Sequence, residues 1–226
     1  MSAPALAFWI SVGGGLVAAP SGWSSSAAWT LHAETARLEA GHEGDAGPAL
    51  EAALGFRFTR RLGIATALTW SRREEAAAVD ALLPHPFHLD RPRPVAGTVE
   101  GLVHREVSAH LDLEVRPVTG RVEVILFAGA SLVRVEADLV ESVEATEEYP
   151  YDEAAFRSAT TASRRSDPAL GWNAGAAVAW AVAARLDLGA AARYVGAEAE
   201  TDQPGGGTAR LDAGGLAGTV FVRLRF

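Results

Sequence analysis

The chain contains no cysteine and no lysine, and no apolar run reaches the eighteen or so residues of a transmembrane helix. The first absence excludes disulfides, thiolate metal sites and thiol catalysis, while leaving the compartment open. The second makes all 20 basic residues arginines. The third excludes a helical crossing of a membrane, although 49% of the residues are hydrophobic. Clustered positive charge is also scarce. A formal net charge of −8 argues against a nucleic-acid partner, because binding phosphates needs grouped cations. No linker-like segment divides the 226 residues, so the chain is read as one domain over 1–226. The opening MSAPALAFWISVGGGLVAAP superficially resembles a secretory leader but has no positive n-region; it is expected to be mature sequence.

What the sequence has in quantity is alternation. In ALEAALGFRFTRRLGIATALTWSRR, residues 49–73, Leu50, Ala52, Leu54, Phe56 and Phe58 share one face opposite Glu51, Gly55 and Arg57. After a turn at Thr59-Arg60-Arg61, Leu62, Ile64, Leu68 and Trp70 oppose Gly63, Ala65, Ala67 and Ser71. Period two is the β signal. It returns over 98–137, turning at Pro117–Gly120, with Val99, Val103, Val107, Leu111, Leu113 and Val115 opposite Glu106, His110, Asp112 and Glu114. It returns over 170–199, turning near Ala183-Ala184, and strands at about 5–17 and 209–226 complete the set.

The pattern predicts eight strands. Short turns near 60, 118 and 184 alternate with long segments at 18–48, 74–97 and 138–169 and a shorter Gly-rich one at 201–208. An even number of strands, tight turns at one end and long polar loops at the other describe a closed antiparallel transmembrane β-barrel. Two stretches fit less simply. VEVILFAGASLVRVEADL is apolar on both faces, so the register over 121–137 is open or shifted by a bulge. Residues 27–39 alternate weakly and either extend a strand or add a hairpin, which would make the count ten. AAAVDALL at 76–83 is a weak helix candidate.

Aromatics decide which face is outside. Phe56, Phe58, Trp70, Trp172, Tyr194 and Phe226 sit near segment ends on the apolar face, where lipid selects aromatic girdles. The opposite face carries both signs of charge: Glu51, Glu106, Asp112, Glu114, Glu123 and Asp187 against Arg57, Arg185, Arg193, Arg223 and Arg225, with His110 among them. The bore of an eight-stranded barrel is just wide enough for side chains, so such charges are expected to pair across the lumen. The small residues Gly171, Gly175, Ala177, Gly189 and Ala191 either offset Trp9 and Phe127 or leave a narrow water path.

On GWNAGAAVAWAVAARLDLGAAARYVG, ALGFRFTRRLGIATALTWS and the terminal FVRLRF, the chain resembles the small outer-membrane β-barrels of the OmpA/OmpX/OmpW type over essentially its whole length. The resemblance implies a bacterial outer-membrane location, with lipid and lipopolysaccharide as surroundings and both termini in the periplasm. It also implies that Val222, Leu224 and Phe226 form the signal read by the barrel-assembly machinery. The glycine often found just upstream in such families is here Phe221.

Candidate chemistry is thin. His85, His88 and Asp90 in PHPFHLD are metal-ligand types close together, yet in a proline-rich loop a solvated surface is the expected state. His104, Glu106, Ser108, His110 and Asp112 share a strand face and invite comparison with lipid-modifying barrel enzymes. Their side chains run parallel, however, and Ser108 falls mid-strand inside a filled lumen, so a hydrogen-bond network is expected instead of catalysis. Glu144, Glu147, Glu148, Asp152 and Glu153 have no calcium-loop glycine among them. Tyr149, Tyr151 and Phe156 among these charges form a candidate contact surface for a protein partner. No cofactor is implied. The expectation is an outer-membrane barrel with a structural or interaction role, displaying its loops or joining an envelope assembly; a narrow channel and a lipid-modifying enzyme are the alternatives.

Overall fold

A strand with alternating side chains presents one face to each of two environments, and in lipid it must also bond every backbone amide to a neighbour. The computed structural model, which describes residues 7–18, 22–202 and 208–226, satisfies both demands with strands alone. These are β1 (Ala7–Ala18), β2 (Trp23–Leu31), β3 (Glu34–Gly44), β4 (Gly47–Arg57), β5 (Leu62–Leu83), β6 (Arg93–Val118), β7 (Val122–Glu147), β8 (Ala154–Arg165), β9 (Ala169–Ala181), β10 (Leu186–Asp202) and β11 (Thr208–Arg225).

Eight of them form an antiparallel ring in the order β1-β4-β5-β6-β7-β9-β10-β11. The ring closes between β11 and β1, where Trp9 lies opposite Arg225 and Ala18 opposite Leu216. The expected eight-stranded barrel is therefore present, with short connections at 58–61, 119–121 and 182–185. The other three strands belong to the segments read as long loops. Residues 27–39 lie in a β2–β3 hairpin, turned by His32 and Ala33 at φ 51° and 65°, as a two-residue I′ turn requires. The hairpin adds to the upper half of β5, where Arg37 lies opposite Leu82 and Gly44 opposite Glu75. Residues 74–97 are mostly strand, because β5 and β6 run on to a tip at 84–92; AAAVDALL is strand rather than helix. β8 pairs with the upper half of β7.

The outer surface of the ring is apolar. Leu50, Leu68, Val107, Leu111, Leu113, Val178, Val220 and Val222 are all exposed. Phe8, Phe58, Trp180 and Phe226 mark the short-turn edge of this belt, and Trp70, Trp172 and Tyr194 the other. Phe226 closes the lower rim: its N–H donates to Phe8 O at 2.8 Å and its ring lies 5.9 Å from that of Phe8.

Above the upper girdle the polarity inverts without a change of period. On β5 the outward residues become Arg72, Glu74 and Asp80, while Ala77, Val79, Ala81 and Leu83 turn inward. They join Ala27, Ala36, Leu38, Ala40, Val95, Leu102, Val140 and Val143 in an apolar core held by the curled order β2-β3-β5-β6-β7-β8. A register shift lets β6 follow. Glu75 lies opposite Leu102 but Ala77 opposite Val99, and the extra residue is accommodated near Gly101, at φ 76°. Val99 therefore packs on this inner core and does not share the lipid face of Val103 and Val107, as strict alternation would have it.

The doubly apolar stretch of β7 has the same cause. Its pairing with β9 is unbroken from Val122 to Val133; the shift against β6 falls lower, between Val115 and Val118. Val133, Val135, Ala137 and Leu139 point inward because the barrel interior is itself apolar at that height, whereas Ile125 points inward lower down, beside Trp9, Phe127 and Phe221.

Leu111, 62% exposed, lies at the middle of the lipid belt. Leu111→Arg is expected to destabilise the folded barrel by about 2–4 kcal/mol in equilibrium refolding into vesicles. An unchanged midpoint would contradict a lipid-facing β6.

Candidate functional site: a filled lumen and a structured tip

At the short-turn end, five guanidiniums and five carboxylates fill the bore. Arg193, from β10, reaches Asp112 Oδ2 at 2.9 Å, Glu51 Oε2 at 3.3 Å and Asn173 Oδ1 at 2.6 Å, and lies over the Phe127 ring at 4.5 Å. Arg223 joins Asp187 and Glu123, each at 2.7 Å. Arg57 adds a second contact to Glu123, Arg225 one to Asp187 at 2.9 Å, and Arg116 pairs with Glu114. Burying unpaired charge in so narrow a space would be prohibitive; matched charge is tolerated. The expected luminal set is thus brought together, except that Arg185 is exposed in the 182–185 turn and Glu106 lies higher. Arg116 went unnoticed in the sequence, although it shares the parity of Glu114.

Small residues make room for the rings among these charges. A Cβ on Gly55 would meet Trp9 at 2.4 Å, one on Gly175 Phe127, and one on Gly189 Phe221. Phe221 is seated inward over Gly189 of the next strand. What space is left is small: a cavity of about 40 Å³ lies among Trp9, Asp112, Phe127, Arg193 and Phe221, and another of about 40 Å³ among Val17, Ser108, Val195 and Thr219.

Ser108 is buried in this wall, and its neighbouring histidines are engaged elsewhere. His110 contacts Ser131 Oγ at 2.8 Å and Thr69 Oγ1 at 3.1 Å, while His104 faces carboxylates. The two histidines of the candidate Ser-His-acid row are thus held by partners other than Ser108.

A second polar layer sits just above the upper girdle and includes residues that the sequence reading missed. His104 bridges Glu75 at 2.9 Å and Glu106 at 2.8 Å, and Arg73 contacts the same two carboxylates. Gly214 N–H donates to Glu106, and Trp23 Nε1 to Glu75. Trp23 stacks on His42 at 3.7 Å, and Ser25 Oγ is 2.9 Å from His42 Nε2. This layer anchors the β2–β3 hairpin to β5, β6 and β11 and closes the bore beneath the apolar core. Burial would lower the pKa of His104, but its bonds to Glu106 and Glu75 raise it above the ordinary value. Burial lowers that of His42 to about 4, only partly opposed by Glu75.

At the far end the 84–92 and 148–153 connections meet. Arg93, buried, donates to Pro84 O at 2.7 Å and Tyr151 O at 3.1 Å and pairs with Glu147. The Tyr151 ring touches both that of Phe87, at 5.4 Å, and that of Tyr149, at 6.1 Å. Phe156 is not part of this surface; it lies inside, over Gly97 and against the apolar core. His85 and His88 lie ring to ring at 4.7 Å, but with Asp90 they form no metal cage. His85 Nδ1 accepts from the N–H groups of Phe87 and His88, Asp90 N–H donates to Glu34, and no group of three or more His, Asp or Glu side chains among the described residues is placed to hold a metal.

Comparison with solved structures bears on this geometry. The outer membrane protein OprG from Pseudomonas aeruginosa matches over 99% of this chain and 97% of its own, with a TM-score of 0.55 at 13% identity. The fold is that of the small outer-membrane β-barrels. Neisserial surface protein A covers 97% of each chain with a TM-score of 0.43 at 15% identity. The attachment invasion locus protein Ail of Yersinia pestis covers 98% of this chain and 99% of its own, at 0.40 and 10%. No protein-family model and no curated protein sequence matches the chain.

Two outcomes test the two layers. Arg223→Met leaves Asp187 and Glu123 short of a buried partner and is expected to cost about 3–5 kcal/mol in chemical unfolding; a loss below 1 kcal/mol would contradict the pairing. In the upper layer, unfolded His42 takes up a proton near pH 6.5 and folded His42 near 4, so the hairpin is destabilised progressively as pH falls through that interval. The full effect is about 3 kcal/mol. His104 acts in the opposite sense above pH 6.5 and is already protonated below it. Hydrogen exchange in β2, corrected for intrinsic rates, is expected to accelerate between pH 6.5 and 5 and to lose this dependence in His42→Gln.

Proposed function

We propose that the chain is an integral outer-membrane barrel of the OmpA/OmpX/OmpW kind that acts by display. In this reading the termini and short turns are periplasmic and the β5–β8 extension projects outside the cell. Val222, Leu224 and Phe226, outward along the last strand, serve as the assembly signal during insertion, in lipid and lipopolysaccharide surroundings.

The tip carries the reading. Phe87 is 72% exposed, Leu89 74% and Tyr149 86%, although an apolar core lies just below. Their loops are not loose, because the buried Arg93 side chain donates to a backbone carbonyl of each. Aromatics held ready and unburied are what an interface uses as anchors, since little ordering entropy remains to be lost on binding. The occupant is a protein partner, as a surface ligand or within an envelope assembly. Paired charges and an apolar plug in the bore weigh against conduction, and the engaged histidines around Ser108 weigh against lipid-modifying catalysis.

Photo-crosslinkers at positions 87 and 149 are expected to give one discrete adduct in intact cells. Phe87→Ala with Tyr149→Ala is expected to reduce co-purification of that adduct's partner at least tenfold, with unchanged surface abundance. Equal recovery by the variant would overturn the display role.

A further inference from the structure

The tip is shaped around a buried histidine. His85 is 2% exposed, stands between Pro84 and Pro86, and accepts the N–H groups of Phe87 and His88 on one ring nitrogen, Nδ1, each at 3.1 Å. Neither N–H has a backbone acceptor among the described residues. Two donors aimed at one nitrogen fix its state. Nδ1 carries a lone pair, the ring proton is on Nε2, and the imidazole is neutral. The peptide that presents Phe87, an exposed anchor of the tip, is therefore folded over an uncharged ring.

A second proton has no place in this arrangement. It would sit on Nδ1, where both N–H groups already point, so the two bonds would be lost and like dipoles would face one another. The surrounding charges do not compensate. His88 lies ring to ring with His85 at 4.7 Å, Arg91 follows in the same connection, and Arg93 opens β6. From the 148–153 connection comes Asp152, whose Oδ1 is 3.7 Å from His85 Nε2. That carboxylate is engaged by Arg91 at 3.0 Å, and Glu147, at the end of β7, by Arg93. Glu34, from the β2–β3 turn, accepts from Asp90 N–H instead. Burial first, and then His88, Arg93 and Arg91, hold His85 below the ordinary histidine value, opposed only in part by Asp152.

We infer that His85 is an acid-sensitive latch, through which the tip binds its partner at neutral pH and releases it in acid. What is released rests on the display reading; the latch itself rests on the geometry of the loop. Above pH 6.5 the ring is neutral whether the loop is latched or open, and the two bonds hold in full. As the pH falls below 6.5 the open loop takes up a proton that the latched loop refuses, so latching weakens by up to about tenfold per pH unit. Phe87 is then no longer held in one place, and its ordering has to be met by the binding energy.

The chain has no cysteine, so a single nitroxide can be attached at Leu89→Cys in the full-length protein in detergent. Its mobility is expected to rise reversibly between about pH 7.5 and 5.5, the range in which an ordinary histidine changes charge. His85→Asn places an oxygen acceptor where Nδ1 stands but does not titrate, and its label is expected to stay immobile at both pH values. His88→Asn and His42→Gln are expected to keep the wild-type response, which separates the latch from the other histidines. A wild-type label indifferent to pH overturns the latch, as does an equal response in His85→Asn. Should the Asn variant be mobile throughout, nitrogen-15 resonances of labelled histidine in the wild type decide. His85 is expected to remain the neutral Nε2–H form at a pH where His88 is already protonated, and titration of the two together overturns the latch. Release is read from the adduct formed by a photo-crosslinker at position 149 in intact cells. Its yield is expected to fall about tenfold from pH 7.5 to 5.5 in the wild type and to hold in His85→Asn. An adduct indifferent to pH while the label is freed overturns release, whereas no adduct at either pH overturns the display role and leaves the latch to the label.

Discussion

Hydrocarbon offers a backbone amide no partner, and that single deprivation organises the molecule. Strands can cross it only if each is bonded on both sides, so the sheet has to return upon itself and β11 has to find β1. Once the ring is closed, alternation assigns every side chain to lipid or lumen, and with eight strands the lumen leaves little room for water around its charges. The ion pairs of Arg193 and Arg223 follow from that confinement: charge inside is acceptable only when matched. They are a consequence of closure and not its cause.

Where the strands leave the lipid, the same geometry serves the opposite solvent. β5 keeps its period through Trp70, Arg72 and Glu74, but the outward residues turn polar and the inward ones apolar. The lower half is a membrane protein and the upper half is packed like a water-soluble one. Between them lies the layer of Arg73, Glu75, His104 and Glu106, neither hydrocarbon-facing nor solvated, and there the hairpin is tied down through Trp23 and His42. The aromatic tip depends on this upper half being rigid.

The ring, its turns and its inverted faces were legible because lipid imposes a strict alternation, as at Leu62, Ile64, Leu68 and Trp70. The upper half was not, for a physical reason. Charges such as Glu74, Glu75 and Asp80 in a membrane barrel look like loop, and the apolar run at 76–83 lost its partner strands once the phase of its polarity flipped. Gly101 hides a frame change that moves Val99 to the other face, and nothing in the one-dimensional pattern marks it. The luminal charges were found by parity, whereas Arg73 was passed over at the very end of the 49–73 run, and His42 because it stands in a stretch read as a polar loop. Tyr149 and Tyr151 were recognised as surface, but Phe156 could be placed inside only when Gly97 was seen beneath its ring.

β5, β6 and β7 each run unbroken from the bilayer to the far end of the molecule. A tug on the tip therefore acts along the strands, loading their ladders in shear, so many bonds resist together and none can be peeled away first. A tether built this way transmits mechanical force directly into the embedded cylinder, as a mast stepped through the deck passes its load to the hull.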